Sequence, residues 1–118
     1  MSDTPGREIA AVVRETGTGP VIEVSGDLDI DQVDVLHAVF NRVLLRTPTP
    51  SVVLVDLSAV PFCDSSGLNE LLRARLQAEQ RGTLLALARP SHQVVRLLDV
   101  TGTDQVFEVT EGPPARSA

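Results

Sequence analysis

The sequence predicts a single α/β domain on a mixed sheet, an antiparallel pair of strands followed by parallel strands with helices packed against them. Three observations carry this. The chain has 118 residues, the size of one domain. Its apolar residues change repeatedly between short β-branched runs and three-and-four spacing. Gly and Pro clusters separate most of these segments. The order reads β-β-α-β-α-β-α-β, in which strands alternating with helices require parallel crossovers.

Each element has its own reason. Ile9 to Arg14 and Val21 to Val24 are short and rich in Val and Ile, and Thr16-Gly17-Thr18-Gly19-Pro20 between them is turn-forming, so they read as a hairpin. From Ile30, residues Val33, Leu36, Phe40, Val43 and Leu44 form one stripe of a helix running to about Arg46. Thr47-Pro48-Thr49-Pro50 ends it, because each proline disfavours helix at the residue before it. Val52 to Leu57 is apolar without alternation up to Asp56, the pattern of a central strand covered on both faces.

A second helix carries Leu68, Leu71, Leu72 and Leu76 and closes near Arg81-Gly82, with Gly82 as a left-handed cap. Thr83 to Ala88 reads as another buried strand. Arg89-Pro90-Ser91 opens a short helix with Val94, Leu97 and Leu98 on one face, closed by Thr101-Gly102, and Val106 to Val109 forms a last strand. Domain bounds of 8–110 follow, with loose polar tails at 1–7 and 111–118. Open sheets carry their functional loops at the carboxyl ends of the strands. Two loops qualify: Ser25 to Asp29, and Ser58 to Gly67.

Composition narrows the chemistry. The net charge is −6, from 10 Lys+Arg against 16 Asp+Glu, which argues against non-specific binding to nucleic acid or anionic lipid. All the basic residues are arginine, so the lysine of a P-loop, a Schiff base or a Ser-x-x-Lys site is missing. The single cysteine, Cys63, cannot close an intramolecular disulfide and fits a reducing compartment. No run approaches the roughly 18 apolar residues of a membrane helix, and the polar stretch Met1 to Arg7 is expected to be a loose tail, not a signal peptide. A cytoplasmic protein without cofactor or metal is the expectation.

Motif by motif, enzyme readings weaken. Asp27-Leu28-Asp29-Ile30-Asp31 has the first ligand spacing of a calcium loop, but Gln32 and Ala38 stand where its Gly and Glu belong. Asp29 or Asp31 capping the first helix is the simpler account. Asp56 ends the central strand like a phosphoacceptor, but a receiver domain also needs a lysine, so Asp56 reads as a hydrogen-bonded loop residue. Ser66 with His37 or His92 is the only arithmetic hydrolase set, and no nucleophile elbow occurs. Cys63 near a helix start could have a lowered pKa, against the plainer reading of a small buried hydrophobe.

Asp64-Ser65-Ser66-Gly67-Leu68 is the informative site. It places three cap-capable residues before an amphipathic helix, where capping needs only one and leaves a hydroxyl at an exposed mouth. Gly67, without a side chain, is expected to let a partner's active site approach the Ser66 backbone.

At these residues the sequence resembles the anti-sigma factor antagonists, single-domain members of the STAS fold family. Gly26-Asp27-Leu28-Asp29 is similar to the family's Gly-Glu-Leu-Asp loop, Val52 to Leu68 to its strand followed by Asp-Ser-Ser-Gly-Leu, and Val95 to Gly102 to its third helix and closing turn. The likeness runs from about Ile9 to Phe107. Cys63 stands where the family usually has Met, Val or Ile, and the short stretch after Glu108 implies a shortened or missing final helix.

The resemblance implies a STAS-type sheet and partner switching. The unmodified protein binds an anti-sigma factor that is also a serine kinase and frees a sigma factor. Phosphorylation at Ser66 abolishes binding, and a metal-dependent serine phosphatase resets the system. The protein is then a substrate, not an enzyme, and a monomer or weak dimer. Asp29, Asp64, Ser65, Ser66, Gly67, Leu68 and Asn69 are its expected partner contacts. The rivals are an adaptor subunit of a lipid-transport ATPase complex, or a stressosome-type scaffold, with Ser66 only a helix cap.

Overall fold

The computed structural model describes residues 8–111. The tails 1–7 and 112–118 lie outside the described residues, and so does the expectation of a shortened final helix. The elements are β1 (Ala10–Thr16), β2 (Gly19–Ser25), α1 (Val33–Leu44), β3 (Val52–Ala59), α2 (Ser65–Gln80), β4 (Leu84–Ala88), α3 (His92–Thr101), a 3-10 turn (Thr103–Gln105) and β5 (Glu108–Thr110). The strands lie side by side in chain order; β1 and β2 are antiparallel and every later pair is parallel. This is the predicted architecture.

Local chemistry explains the boundaries. Thr16 pairs with Gly19, which leaves Gly17-Thr18 as a two-residue hairpin turn, and the Thr16 hydroxyl donates to the Gly19 carbonyl at 2.6 Å. β3 runs two residues past Leu57, so Asp56 lies inside the strand and not in a loop. The last strand starts later than predicted, because a 3-10 turn precedes it and Phe107 is buried between the two.

The first helix needs a larger correction. It begins at Val33, and neither Asp29 nor Asp31 caps it; the residue before it, Gln32, makes no side-chain cap bond. The Asp29 carboxylate instead accepts from the Asp31 amide at 3.1 Å, while the Asp29 carbonyl takes the Gln32 and Val33 amides at 3.0 Å each. A turn of backbone therefore satisfies the first donors that a capping side chain would otherwise serve.

Alternation along β3 builds the core. Val53, Val55 and Leu57 face a cluster with Leu36 and Phe40 of α1, Leu71 of α2 and Leu98 of α3, whereas Leu54 points to the opposite face with Val21 and Ala86. Both faces of the strand are buried, as its unbroken apolar run predicts. On α2, Ala74 and Ala78 are buried where the leucine pattern pointed to Leu76, which is 53% exposed. Small residues there bring the helix close to the sheet and leave Leu76 on its outer side.

One buried ionic group ties α1 to α2. Glu70 accepts from His37 Nδ1 at 3.0 Å and from Arg73 at 2.7 Å. His37 is engaged in this contact, and no hydrogen bond joins it to Ser66 among the described residues.

Candidate functional site

The two loops at the carboxyl ends of β2 and β3 meet. Leu28 and Cys63 form an isolated parallel bridge, the Leu28 amide donates to the Phe62 carbonyl at 2.9 Å, and the Asp64 amide donates to the Leu28 carbonyl at 3.1 Å. Each loop completes the other's backbone hydrogen bonds, which a buried crossing requires. Gly26 makes the turn out of β2 at φ 96°, where a side chain would strike the Glu8 carbonyl.

Asp64 is the N-cap of α2. One carboxylate oxygen accepts from the Ser66 amide at 2.9 Å and from the Gly67 amide at 3.1 Å. That takes two of the free donors at the start of the helix and sets a negative charge at the positive end of its dipole. Ser65 and Ser66 are therefore not needed as caps. Their hydroxyls make no hydrogen bond to the described residues, with Ser65 exposed and Ser66 half-buried on the first turn. The rival picture of Ser66 as only a cap is corrected here, because Asp64 holds that role.

Gly67 is buried, and its reason differs from the expected one. A Cβ there would stand 2.5 Å from the Leu28 carbonyl oxygen, 2.6 Å from Leu28 Cγ and 2.8 Å from Cys63 Sγ. The glycine brings the helix start against the Leu28–Cys63 bridge; it does not open a path from solvent. Leu68 is likewise packed in the core at 5% exposure, so it anchors the helix beneath the site. Asp29 and Asp64 are half-buried and Asn69 is exposed, so these can face a partner.

Cys63 is buried among these groups. Burial, aided by the Asp64 charge, pushes its thiol up to about 12. A thiolate is thus disfavoured at neutral pH, and the residue acts as a small hydrophobe.

Sequence reasoning passed over three residues. Ile30 is 70% exposed and Phe62 44% exposed, each on one of the two joined loops. The signal was present for Ile30, an apolar side chain among aspartates outside the helical stripe. Gln93, the second residue of α3, gave none. Its amide accepts from the Cys63 backbone N–H at 2.8 Å and donates to the Cys63 carbonyl at 3.0 Å.

Asp56 forms a second polar group on β3. Its carboxylate accepts from the Ser58 amide at 2.9 Å, from the Ser58 hydroxyl at 2.7 Å and from Arg89. Burial alone raises its pKa, but the Ser58 amide, Arg89 and the Ser58 hydroxyl together outweigh it and hold the carboxyl below its ordinary value. Arg89 reaches it from a left-handed backbone, φ 50°, at the end of β4.

Comparison with known proteins agrees with the fold. A family model described as "Mlab, STAS domain" matches residues 11–110. An anti-sigma-B factor antagonist of Staphylococcus epidermidis is 31% identical over 91 residues, which cover 77% of this chain and 82% of that protein. A STAS-domain containing protein of Pseudomonas aeruginosa is 28% identical over 102 residues, 86% of this chain and 98% of the other. The crystal structure of an anti-sigma factor antagonist from Mycobacterium paratuberculosis shares the fold, with a TM-score of 0.75 at 24% identity over 89% of this chain and 87% of that one.

Proposed function

The chain belongs to the STAS domain family, and on that premise we propose that it is an anti-sigma factor antagonist switched by phosphorylation at Ser66. The unmodified form binds an anti-sigma factor with serine kinase activity and so releases a sigma factor. The kinase then transfers the γ-phosphoryl group of its ATP to the Ser66 oxygen, which loses its proton, and ADP leaves. A metal-dependent serine phosphatase hydrolyses the ester. The protein acts throughout as binding partner and substrate.

One observation carries the reading: Asp64 takes the capping bonds and leaves the Ser66 hydroxyl without a partner among the described residues, beside the joined loops. Asp29, Asp64, Ser65 and Asn69 are its partner contacts on this reading, with Gly67 and Leu68 setting the helix that carries it. Ile30 and Phe62 add apolar surface of the kind that anchors interfaces.

The phosphate works on the interface and not on the fold. At a helix N-terminus a phosphate gains about 0.3–1 kcal/mol from the dipole, and the neighbouring aspartates offset it. Inside a tight interface an unpaired charge costs about 2–5 kcal/mol, roughly a 30- to several-thousandfold loss of affinity. The test is calorimetric titration of both forms against the serine-kinase anti-sigma factors encoded by the same genome. Tight binding of the unmodified form alone, with equal melting temperatures, is expected. Equal affinity of the two forms, or no binding by either, counts for the adaptor or scaffold alternatives.

A further inference from the structure

We infer that Gln93 is a positioning residue for Ser66, acting through the backbone of Cys63; this rests on the functional reading above. The side-chain amide of Gln93 pairs with both the N–H and the C=O of Cys63, at 2.8 and 3.0 Å, as a neighbouring strand would. On its other flank the same loop is bridged to Leu28. Cys63 is thus held from two sides, and the next residue is Asp64, whose carboxylate sets the Ser66 and Gly67 amides. The buried Gly67 lies against Leu28 and Cys63 with no room for a Cβ, so a shift of Cys63 must move the first turn of α2. Beside Gln93, the Ser91 hydroxyl donates to the Val60 carbonyl at 2.6 Å, a second tie from the start of α3 to the same loop.

The amide chemistry supplies a diagnostic. In Gln93→Glu an ionised carboxylate keeps the acceptor for the Cys63 N–H but sets negative charge against the Cys63 carbonyl. Protonation restores a donor and an acceptor together. Gln93→Met keeps the length and removes both bonds.

The experiment follows amide spectra and exchange at Cys63, Ser66 and Gly67, together with the initial rate of Ser66 phosphorylation in a source-cell extract supplied with ATP. Val43→Ala, in the last turn of α1, is the control for plain destabilisation. Gln93→Met is expected to shift the Ser66 and Gly67 signals and to speed Cys63 exchange at least about tenfold. Phosphorylation should slow about tenfold or more, since misplacement by about 1 Å can cost 10²-fold, while Val43→Ala stays within about twofold. Gln93→Glu should regain the wild-type signals as pH falls through a pKa raised above the ordinary glutamate value of about 4.3, because its ionised form faces the Cys63 carbonyl, judged against wild type titrated in parallel. Unchanged Ser66 and Gly67 signals in Gln93→Met, or slowing no greater than in Val43→Ala, would overturn the inference. Wild type left unphosphorylated by an active extract counts against the functional reading alone, and the spectra then still decide the role of Gln93.

Discussion

Two aspartates eight positions apart on the β3–α2 segment have opposite outcomes. Asp56 is buried, paired with Arg89 and doubly bonded to Ser58, and every group it touches is consumed in holding the strand ends together. Asp64 also accepts two hydrogen bonds, but both come from backbone amides, so the serine it serves keeps its hydroxyl. In the first case the neighbouring serine is bound as a ligand of the carboxylate; in the second it is presented. Both carboxylates take a peptide N–H; the difference is that the Ser58 hydroxyl also reaches Asp56, whereas no hydroxyl reaches Asp64 among the described residues.

Breaking Asp56 should cost most. Arg89→Ala leaves a carboxylate that is 6% exposed without its cation, and the expected loss is about 3 kcal/mol, the lower end for a broken buried pair because Arg89 itself is half in solvent. Urea unfolding at neutral pH reads it. The acid response sharpens the same point. The folded pKa of Asp56 lies below its ordinary value of 3.8, so its stabilisation is present above that value and is lost as pH falls through the folded pKa. Asp56→Asn should therefore lose less stability than wild type as pH falls from the ordinary value of 3.8 through the lower folded pKa; an equal loss would assign the acid response elsewhere.

Gly67→Ala tests the other end. Its methyl group meets a carbonyl oxygen at 2.5 Å, so about 2 kcal/mol of destabilisation is expected together with displacement of the α2 start. Asp64→Ala removes a cap and should cost about 1 kcal/mol. Ser66→Ala is the smallest, within about 0.5 kcal/mol, since its hydroxyl serves nothing in the described residues. A cost near that of Asp64→Ala would mean that Ser66 is a structural residue after all.

Much of this arrangement was legible in the sequence, because periodicity and turn residues are local signals. The valines of β3, the Leu36–Phe40 stripe and Gly82 each announced their roles within a few neighbours. The Asp-Ser-Ser-Gly segment announced a helix start but not which of three residues caps, since all three side chains can. Contacts that join distant segments left no local trace. Gln93 reaches Cys63 across 30 residues and Arg89 reaches Asp56 across 33, and neither partner's sequence surroundings reveal the other. The late start of α1 was hidden for a different reason, because a backbone turn at Asp29 substitutes for the side-chain cap that the aspartates suggested.

The central claim is that Ser66 is the presented hydroxyl, and intact mass followed by peptide mapping tests it most directly. Wild type and Ser66→Ala are incubated with ATP and source-cell extract. One added phosphate, on Ser66 of wild type and absent from the variant, is the expected result. No phosphate in an extract that modifies a control substrate, or a phosphate that survives the substitution, would contradict it.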